Sequence, residues 1–420
     1  MYPKRIYRVA GFTLIELLIV IAIVSVLSVV VIVALNPVEI LKQGRDSNRL
    51  AELNSIDRAV GILAVYVPTP YMGDQNTIYV SLPDMTLTGA VGSQTSTCPT
   101  MGFPLPPPGF SYRCTASSLF KKINGQGWIP IDFTQIKSGS PLASLPADPV
   151  NTTSSDNYYL YVPGIGGTYA TAAMLESDKY LKANAAKDAG TDPGRFERGN
   201  NLSLWAQASG LVGWWPLEGN ADDASGNGNN GTPQGGISLV AGKVGNAANL
   251  DGVTGYVNIP ATTVFDNLGV ATDYSLAAWV YYPPSSGVFG GAGHYSIVDK
   301  GLGFTGGTGL GINIPASGQA YLGAHGAGAV QGSSVAPNQW YLIVGTYRVG
   351  VGSEMIYVNG SPTSGSVTTN PHAGSPFRIG RFDHTSGPIP YYTQGLMDEV
   401  RVYTRALSAA EVQSIYKAQQ

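Results

Sequence analysis

Residues 11–17, Gly11-Phe12-Thr13-Leu14-Ile15-Glu16-Leu17, open an apolar run that continues to Leu35, and Lys4, Arg5 and Arg8 precede it. A helix of ~24 such residues, rising ~1.5 Å each, is long enough to cross a ~30 Å hydrocarbon layer. Glu16 is the one charged side chain inside the run. A carboxylate at that depth costs roughly 2.5–3.5 kcal/mol on insertion, so it points to a function. A secretory signal peptide explains the basic start, but it calls for a shorter apolar core ending in small residues at alternating positions. Val33-Ala34-Leu35-Asn36 does not supply that ending. A plain single-pass anchor explains the length and the positive flank and leaves Gly11 and Glu16 without a role.

The rest of the composition points outward from the cell. With 420 residues the chain has room for two or three domains. Charged residues make up 12%, the net charge is −3, and Gly (54) and Tyr (24) are abundant. No run of clustered Lys and Arg marks a nucleic-acid surface, so no nucleic-acid partner is expected. Few charges with much Gly, Ser, Thr, Tyr and Val read as an exported, mostly β chain with many turns. Two cysteines, Cys98 and Cys114, fit a single disulfide formed in an oxidising compartment.

Beyond the apolar run, Pro37 is expected to kink or interrupt the helix. Leu50, Leu53, Ile56, Val60 and Leu63 then recur at helical spacing, with Arg45, Asp46, Arg49, Glu52, Asp57 and Arg58 mostly on the other face. One long helix over 12–66 is therefore expected, apolar all round at first and one-sided afterwards, until Pro68-Thr69-Pro70 ends it. A head follows over 67–200, with strands at 78–80, 158–162 and 169–175 and a proline-rich loop between the cysteines that cannot join a sheet. Residues 188–199 read as a solvated turn and 201–210 as a linker. From Leu211 to the end, alternating apolar runs separated by Gly, Asn and Pro turns argue for an antiparallel sandwich. Asn359-Gly360 marks a hairpin, and Ser408 with Glu411 a capping box that starts a short helix.

Two resemblances carry this further. Lys4-Arg5 followed by GFTLIELLIVIAIVSVL resembles the N-terminus of type IV pilins and of the pseudopilins of type II secretion. The resemblance implies a leader over residues 1–11, cleavage by a prepilin peptidase between Gly11 and Phe12, and methylation of the new terminus. It implies anchorage in the cytoplasmic membrane, then assembly with other pilin subunits at the cell surface. Glu16 would neutralise the terminal ammonium of a neighbour inside the fibre. A pilin has a proline at its twenty-second mature position, where this chain has Val33. Residues 188–199 are also similar to the calcium-holding C-terminal loop of some pseudopilins. WWPLEGNADDASGNGN and GLMDEVRVYTRALS resemble the laminin G-like, concanavalin A-like jelly roll of bacterial secreted proteins.

The fold class expected is thus an α+β pilin-like part, a long helix plus a small antiparallel sheet, followed by an all-β jelly roll over 211–420. That fold hosts sugar-binding, adhesive and hydrolytic proteins alike. Hydrolysis on it uses three acids alternating on one strand, and no such strand occurs among Glu218, Glu354, Glu399 and Glu411. The expectation is a non-enzymatic adhesive subunit taking a glycan or surface-protein ligand, with a pseudopilin or a major structural pilin as the other readings. The resemblance implies a structural Ca²⁺ held at Asp398, with Asp223 as a second ligand and backbone carbonyls completing the shell. A ligand site is expected where exposed aromatics meet polar groups, at Arg381, Asp383, His384, Tyr391 and Tyr392, with Tyr281 and Tyr282 nearby. Trp214, Trp215, Trp279 and Trp340 are expected in the core.

Overall fold

The structure, a computed structural model, describes residues 13–281, 294–300, 310–315, 318–323, 329–351, 354–366, 374–382 and 391–420. Gly11, Phe12, Tyr282, Asp383 and His384 lie outside the described residues.

Helix α1 (Leu14–Leu35) starts on a capping box. The Glu16 N–H donates to Thr13 Oγ1 at 3.3 Å, and Glu16 Oε2 accepts from the Thr13 N–H at 2.9 Å and its hydroxyl at 2.8 Å. Reciprocal bonds of this kind satisfy donors that a helix start otherwise leaves open. The large apolar side chains from Leu14 to Leu27 are exposed. No helix among the described residues is long and apolar enough to cross a membrane. In α1 the side chains are described only through Ser28, a length of about 22 Å at ~1.5 Å per residue.

The expected single rod is two helices. Asn36 takes a left-handed conformation (φ 40°, ψ 70°), and Pro37 opens α2 (Pro37–Tyr66) at its first position. A proline there loses no hydrogen bond, because the first N–H groups of a helix have no partner within it. The apolar stripe of α2 is buried at Leu53, Ile56, Val60 and Leu63. Asp46 and Arg49, expected on the polar face, are also fully buried. Arg49 donates to Asp148 at 2.6 and 2.9 Å, to Asp46 at 2.8 Å and to Glu176 at 2.6 Å. The ion cluster satisfies both groups and so permits a burial that side-chain polarity alone argues against.

The head sheet covers that stripe. Among the described residues it has six strands in the order Thr95–Ser96, Ser111–Ala116, Thr77–Asp84, Tyr159–Pro163, Tyr169–Met174, Arg195–Gly199. It is not purely antiparallel: Thr77–Asp84 and Ser111–Ala116 run parallel. Parallel neighbours need a long crossover, and residues 85–110 provide it, including the proline-rich segment. Cys98 and Cys114 are joined, with Cα atoms 5.4 Å apart. Residues 188–199 are no solvated loop, since they end in the buried edge strand Arg195–Gly199. Short helix α3 (Asp178–Ala183) precedes them. The segment expected as a linker forms α4 (Ser203–Ala208), with Trp205, Ala206 and Ala208 buried against both units.

The C-terminal unit is a two-layer sandwich. One sheet runs Ser361–Gly365, Glu354–Val358, Trp340–Tyr347, Tyr274–Tyr281, Gln394–Tyr403, Asn246–Asp251, Ile237–Ala241, with Leu211–Trp215 also pairing with Gln394–Tyr403. The facing sheet runs Ala329–Ser334, Gln319–Gly323, Leu310–Pro315, His294–Lys300, Phe377–Ile379, Tyr256–Ile259, Thr232–Gln234. Trp215, Leu250, Ile259, Phe377 and Val400 lie in the core between them. Short helix α5 (Thr263–Asn267) plugs one end with Phe265.

Helix α6 (Ala409–Ala418), begun by the Ser408–Glu411 capping box, folds back between the two units. Val412 and Ile415 pack with Trp279 and Tyr403 of the sandwich, while Ala418 enters the head core. Glu411 accepts from Arg405 at 2.7 and 2.8 Å and lies 3.5 Å from Arg195 of the head.

Candidate ligand-binding site

The outer edge of the sandwich gathers one arginine and two tyrosines. Along Tyr256–Ile259, Val257 and Ile259 point into the core, so alternation turns Tyr256 and Asn258 outward. The preceding turn is fixed by Asp251. Its Oδ1 accepts from the N–H groups of Val253, Thr254 and Gly255 at 2.9, 2.8 and 2.7 Å. Burial raises the Asp251 carboxyl, but those bonds outweigh it and hold the group down at about 2.

Arg381 follows the neighbouring strand of the same sheet, Phe377–Ile379. Gly380, at φ +80°, turns the chain out of Phe377–Ile379, and a Cβ there would meet Leu250 Cδ1 at 2.2 Å. The turn is held by the Gly380 N–H on the Ile297 carbonyl (3.0 Å) and the Thr393 N–H on the Gly380 carbonyl (2.9 Å). Residues 381–382 then pair with 391–392 as a small ribbon. The Arg381 guanidinium lies 4.6 Å from the Tyr256 ring centroid and 5.5 Å from that of Tyr392, and the two rings are 5.9 Å apart. Each such contact is worth ~0.5–1 kcal/mol at an exposed site and holds the guanidinium flat. The result is a partly exposed face of π surfaces and donors, suited to a sugar ring or a planar polar group.

Arg381 and Tyr392 are therefore brought together as expected. Tyr391 pairs with Phe382 in the ribbon. Tyr281 is elsewhere, packed on Trp340 at 5.7 Å in the other sheet. Tyr256 was missed, although the alternation around Val257 and Ile259 carries the signal. Trp215 and Trp279 are core residues as expected, while Trp214 and Trp340 are only half-buried.

The two acids expected to share calcium each hold the backbone of a different turn. Asp223 organises its own loop, with Oδ1 accepting from the Trp214 and Ser225 N–H groups and Oδ2 from that of Asn229, each at 2.9 Å. Asp398 is buried, and its Oδ2 accepts from the N–H groups of Lys243 and Val244 at 2.8 and 2.9 Å. Its carboxyl is raised to about 7: burial pushes it up, those bonds pull it down, and the Glu399 and Glu218 charges add to the rise. Glu218, which accepts from the Asn246 N–H at 2.9 Å, is the acid that clamps the same turn from its other end. Asp398 Oδ1 has no partner. No group of three His, Cys, Asp or Glu among the described residues is placed to hold a metal. In the head, Glu197 accepts from the N–H groups of Thr191 and Asp192 at 3.0 and 2.8 Å, and Asp188 from that of Glu197 at 2.6 Å. These acids serve the turn directly.

Comparison with known proteins supports the two-part composition. Residues 6–32 match the prokaryotic N-terminal methylation motif, and residues 251–413 match the concanavalin A-like lectin/glucanases superfamily. No curated protein matches the chain. Among solved structures, the chain is similar to domain 4 of AbnA, an extracellular arabinanase of family GH43 from Geobacillus stearothermophilus, solved with arabinotriose. Identity is 21%, with 49% of this chain and 97% of that one covered, at a TM-score of 0.36. The binding domain of paraclostridial mosquitocidal protein 1 is 18% identical over 49% of this chain and 52% of its own, at a TM-score of 0.40. Trypanosoma rangeli sialidase with sialic acid is 16% identical over 63% and 48%, at 0.39. The chain thus spans about half the length of the latter two. It joins a type IV pilin-like N-terminal methylation motif to a concanavalin A-like domain.

Proposed function

We propose that this protein is a minor subunit of a type IV pilus-like fibre and that its sandwich is an adhesive, non-enzymatic module presented at the cell surface. The observation that carries the reading is α1: through Ser28 its side chains are exposed and, but for Ser25, Ser28 and its one acid, Glu16, apolar, and Glu16 closes its first turn. An apolar surface of that kind is stable only in lipid or against other such helices. We assign this carboxylate to the terminal ammonium of the next subunit, with Phe12 as that terminus once the chain is cut after Gly11 in the matched methylation motif. Arg381, Tyr256 and Tyr392 are the residues we assign to ligand contact. A bulky second unit is easier to place at a tip, or sparsely, than in every repeat of a fibre.

The test is made in cells. Glu16→Gln should leave the protein in the membrane fraction at wild-type amounts and remove at least nine-tenths of it from sheared surface fibres. In the same fibres the unaltered protein should be far less abundant than the main subunit. Undiminished incorporation of the Gln variant, or equal abundance with the main subunit, would overturn the proposal.

A further inference from the structure

Head and sandwich meet along a cleft of about 600 Å³, lined on the head side by Lys182, Lys187 and Thr191 and on the sandwich side by Trp214, Lys243 and Arg401. That volume falls within the ~300–1,000 Å³ of small-molecule sites. Its charge is unbalanced. No ion pair among the described residues engages Lys182, Lys187 or Lys243. Lys182, Lys187, Lys243 and Arg401 outnumber the two acidic side chains on the wall, of which Glu399 accepts from Arg401 and, at 2.9 Å, from Gln419, and Glu218 accepts from the Asn246 N–H. Lys182 and Lys243 both line the opening, one from each unit; burial lowers the Lys243 pKa and the Lys182 charge lowers it further.

The floor of the cleft carries spare donors beside an aromatic ring. Arg401 is 1% exposed, lies 4.8 Å from the Trp214 ring centroid, and its Nε–H has no acceptor. The indole N–H of Trp214 and the hydroxyl of Thr191 are likewise buried without partners. The backbone is distorted at the same place. Glu399 has φ +56° at a bulge, where the strand slips by one residue against Ala277–Trp279, and a bulge of this kind re-aims side chains. The Lys243 ammonium also lies 4.8 Å from the Trp279 ring centroid; the excess positive charge calls for an anion, and the Trp214 ring for the flat face of a sugar.

We infer that this cleft binds an acidic saccharide, with its carboxylate between Lys182 and Lys243 and a sugar ring against Trp214. The site is separate from the Arg381 edge and does not depend on the role given to it above.

The test uses the full chain in detergent, titrated calorimetrically with trigalacturonate, sialyllactose and a hyaluronan tetrasaccharide. The fully methyl-esterified trigalacturonate and inorganic phosphate serve as controls. At least one carboxylated probe should bind about tenfold or more tighter than both controls. Lys182→Gln and Lys243→Gln should each weaken it about tenfold, the scale of one charge-assisted bond. Both lysines are at least partly exposed, so folding is not at stake. Arg381→Ala should leave this binding unchanged. No binding by any of the three probes, equal binding of the ester or of phosphate, or insensitivity to both lysine variants would overturn the inference. Loss of surface adhesion in Arg381→Ala or of fibre incorporation in Glu16→Gln bears on the fibre role alone.

Discussion

The carboxyl of Glu354 lies buried beside Tyr274 and Tyr347, and neither of its oxygens has a partner. Burial alone pushes its pKa up to about 8. In the unfolded chain a Glu titrates near ~4.3, so the folded state holds a proton that the unfolded state releases between those values. The stability this lends is full below about pH 4.3 and is lost as pH rises through 8. Glu354→Gln should therefore raise Tm at pH 8 by a few degrees, ~2–4 °C per kcal/mol, and change it little at pH 5. An equal shift at both pH values, read by differential scanning calorimetry, would show that the carboxyl is not protonated. Nothing in the sequence announces such a group, because Met355-Ile356-Tyr357-Val358 reads only as a strand and burial of the residue before it is set by distant neighbours. Arg49 was illegible for a related reason: Asp148 and Glu176, which make its burial tolerable, lie about a hundred residues away.

Among the elements, α6 carries a buried ion cluster that joins Arg405 of its own unit and Arg195 of the head at Glu411. Burial raises the Glu411 carboxyl, but the charge and hydrogen bonds of Arg405, with Arg195 beyond, override that and bring it down to about 2. The sign is opposite to that of Glu354: this stability is present above the unfolded value and disappears as pH falls toward 2. Glu411→Ala leaves two buried guanidinium groups facing each other and should cost ~3–5 kcal/mol. Urea unfolding should show it as a lowered midpoint, with protease cutting near residues 201–210 appearing first; a loss under ~1 kcal/mol would mean the pair is effectively solvated. Ser408 with Glu411 was readable three residues apart, and so was the Asn359-Gly360 hairpin, since both signals are local. The parallel pairing of Thr77–Asp84 with Ser111–Ala116 was not, because it depends on where a long crossover returns the chain.

On the scale of the whole molecule, the Asn36-Pro37 break decides how α1 leaves the head. Asn36→Ala with Pro37→Ala removes a residue tolerant of the left-handed region, worth ~1–2 kcal/mol, and restores a missing donor. The double variant should fuse α1 and α2, slowing amide exchange over residues 36–40 about tenfold, a change of ~1.4 kcal/mol. Unchanged exchange in detergent would mean that tertiary contacts impose the break. The sequence placed this interruption correctly because proline acts locally, and it placed the sandwich by its alternation. It did not reveal the cleft, whose walls come from two units far apart in the chain. The position of α6 has one more consequence. Ala418 completes the head core, Ser414 bonds to the Met174 sulfur at 2.8 Å and Lys417 lies 3.7 Å from Asp178. On the fibre role proposed above, a nascent subunit held in the membrane by α1 would wait, its head unsealed, until residues 409–418 had been exported, and a copy cut short before them would carry both units unlatched.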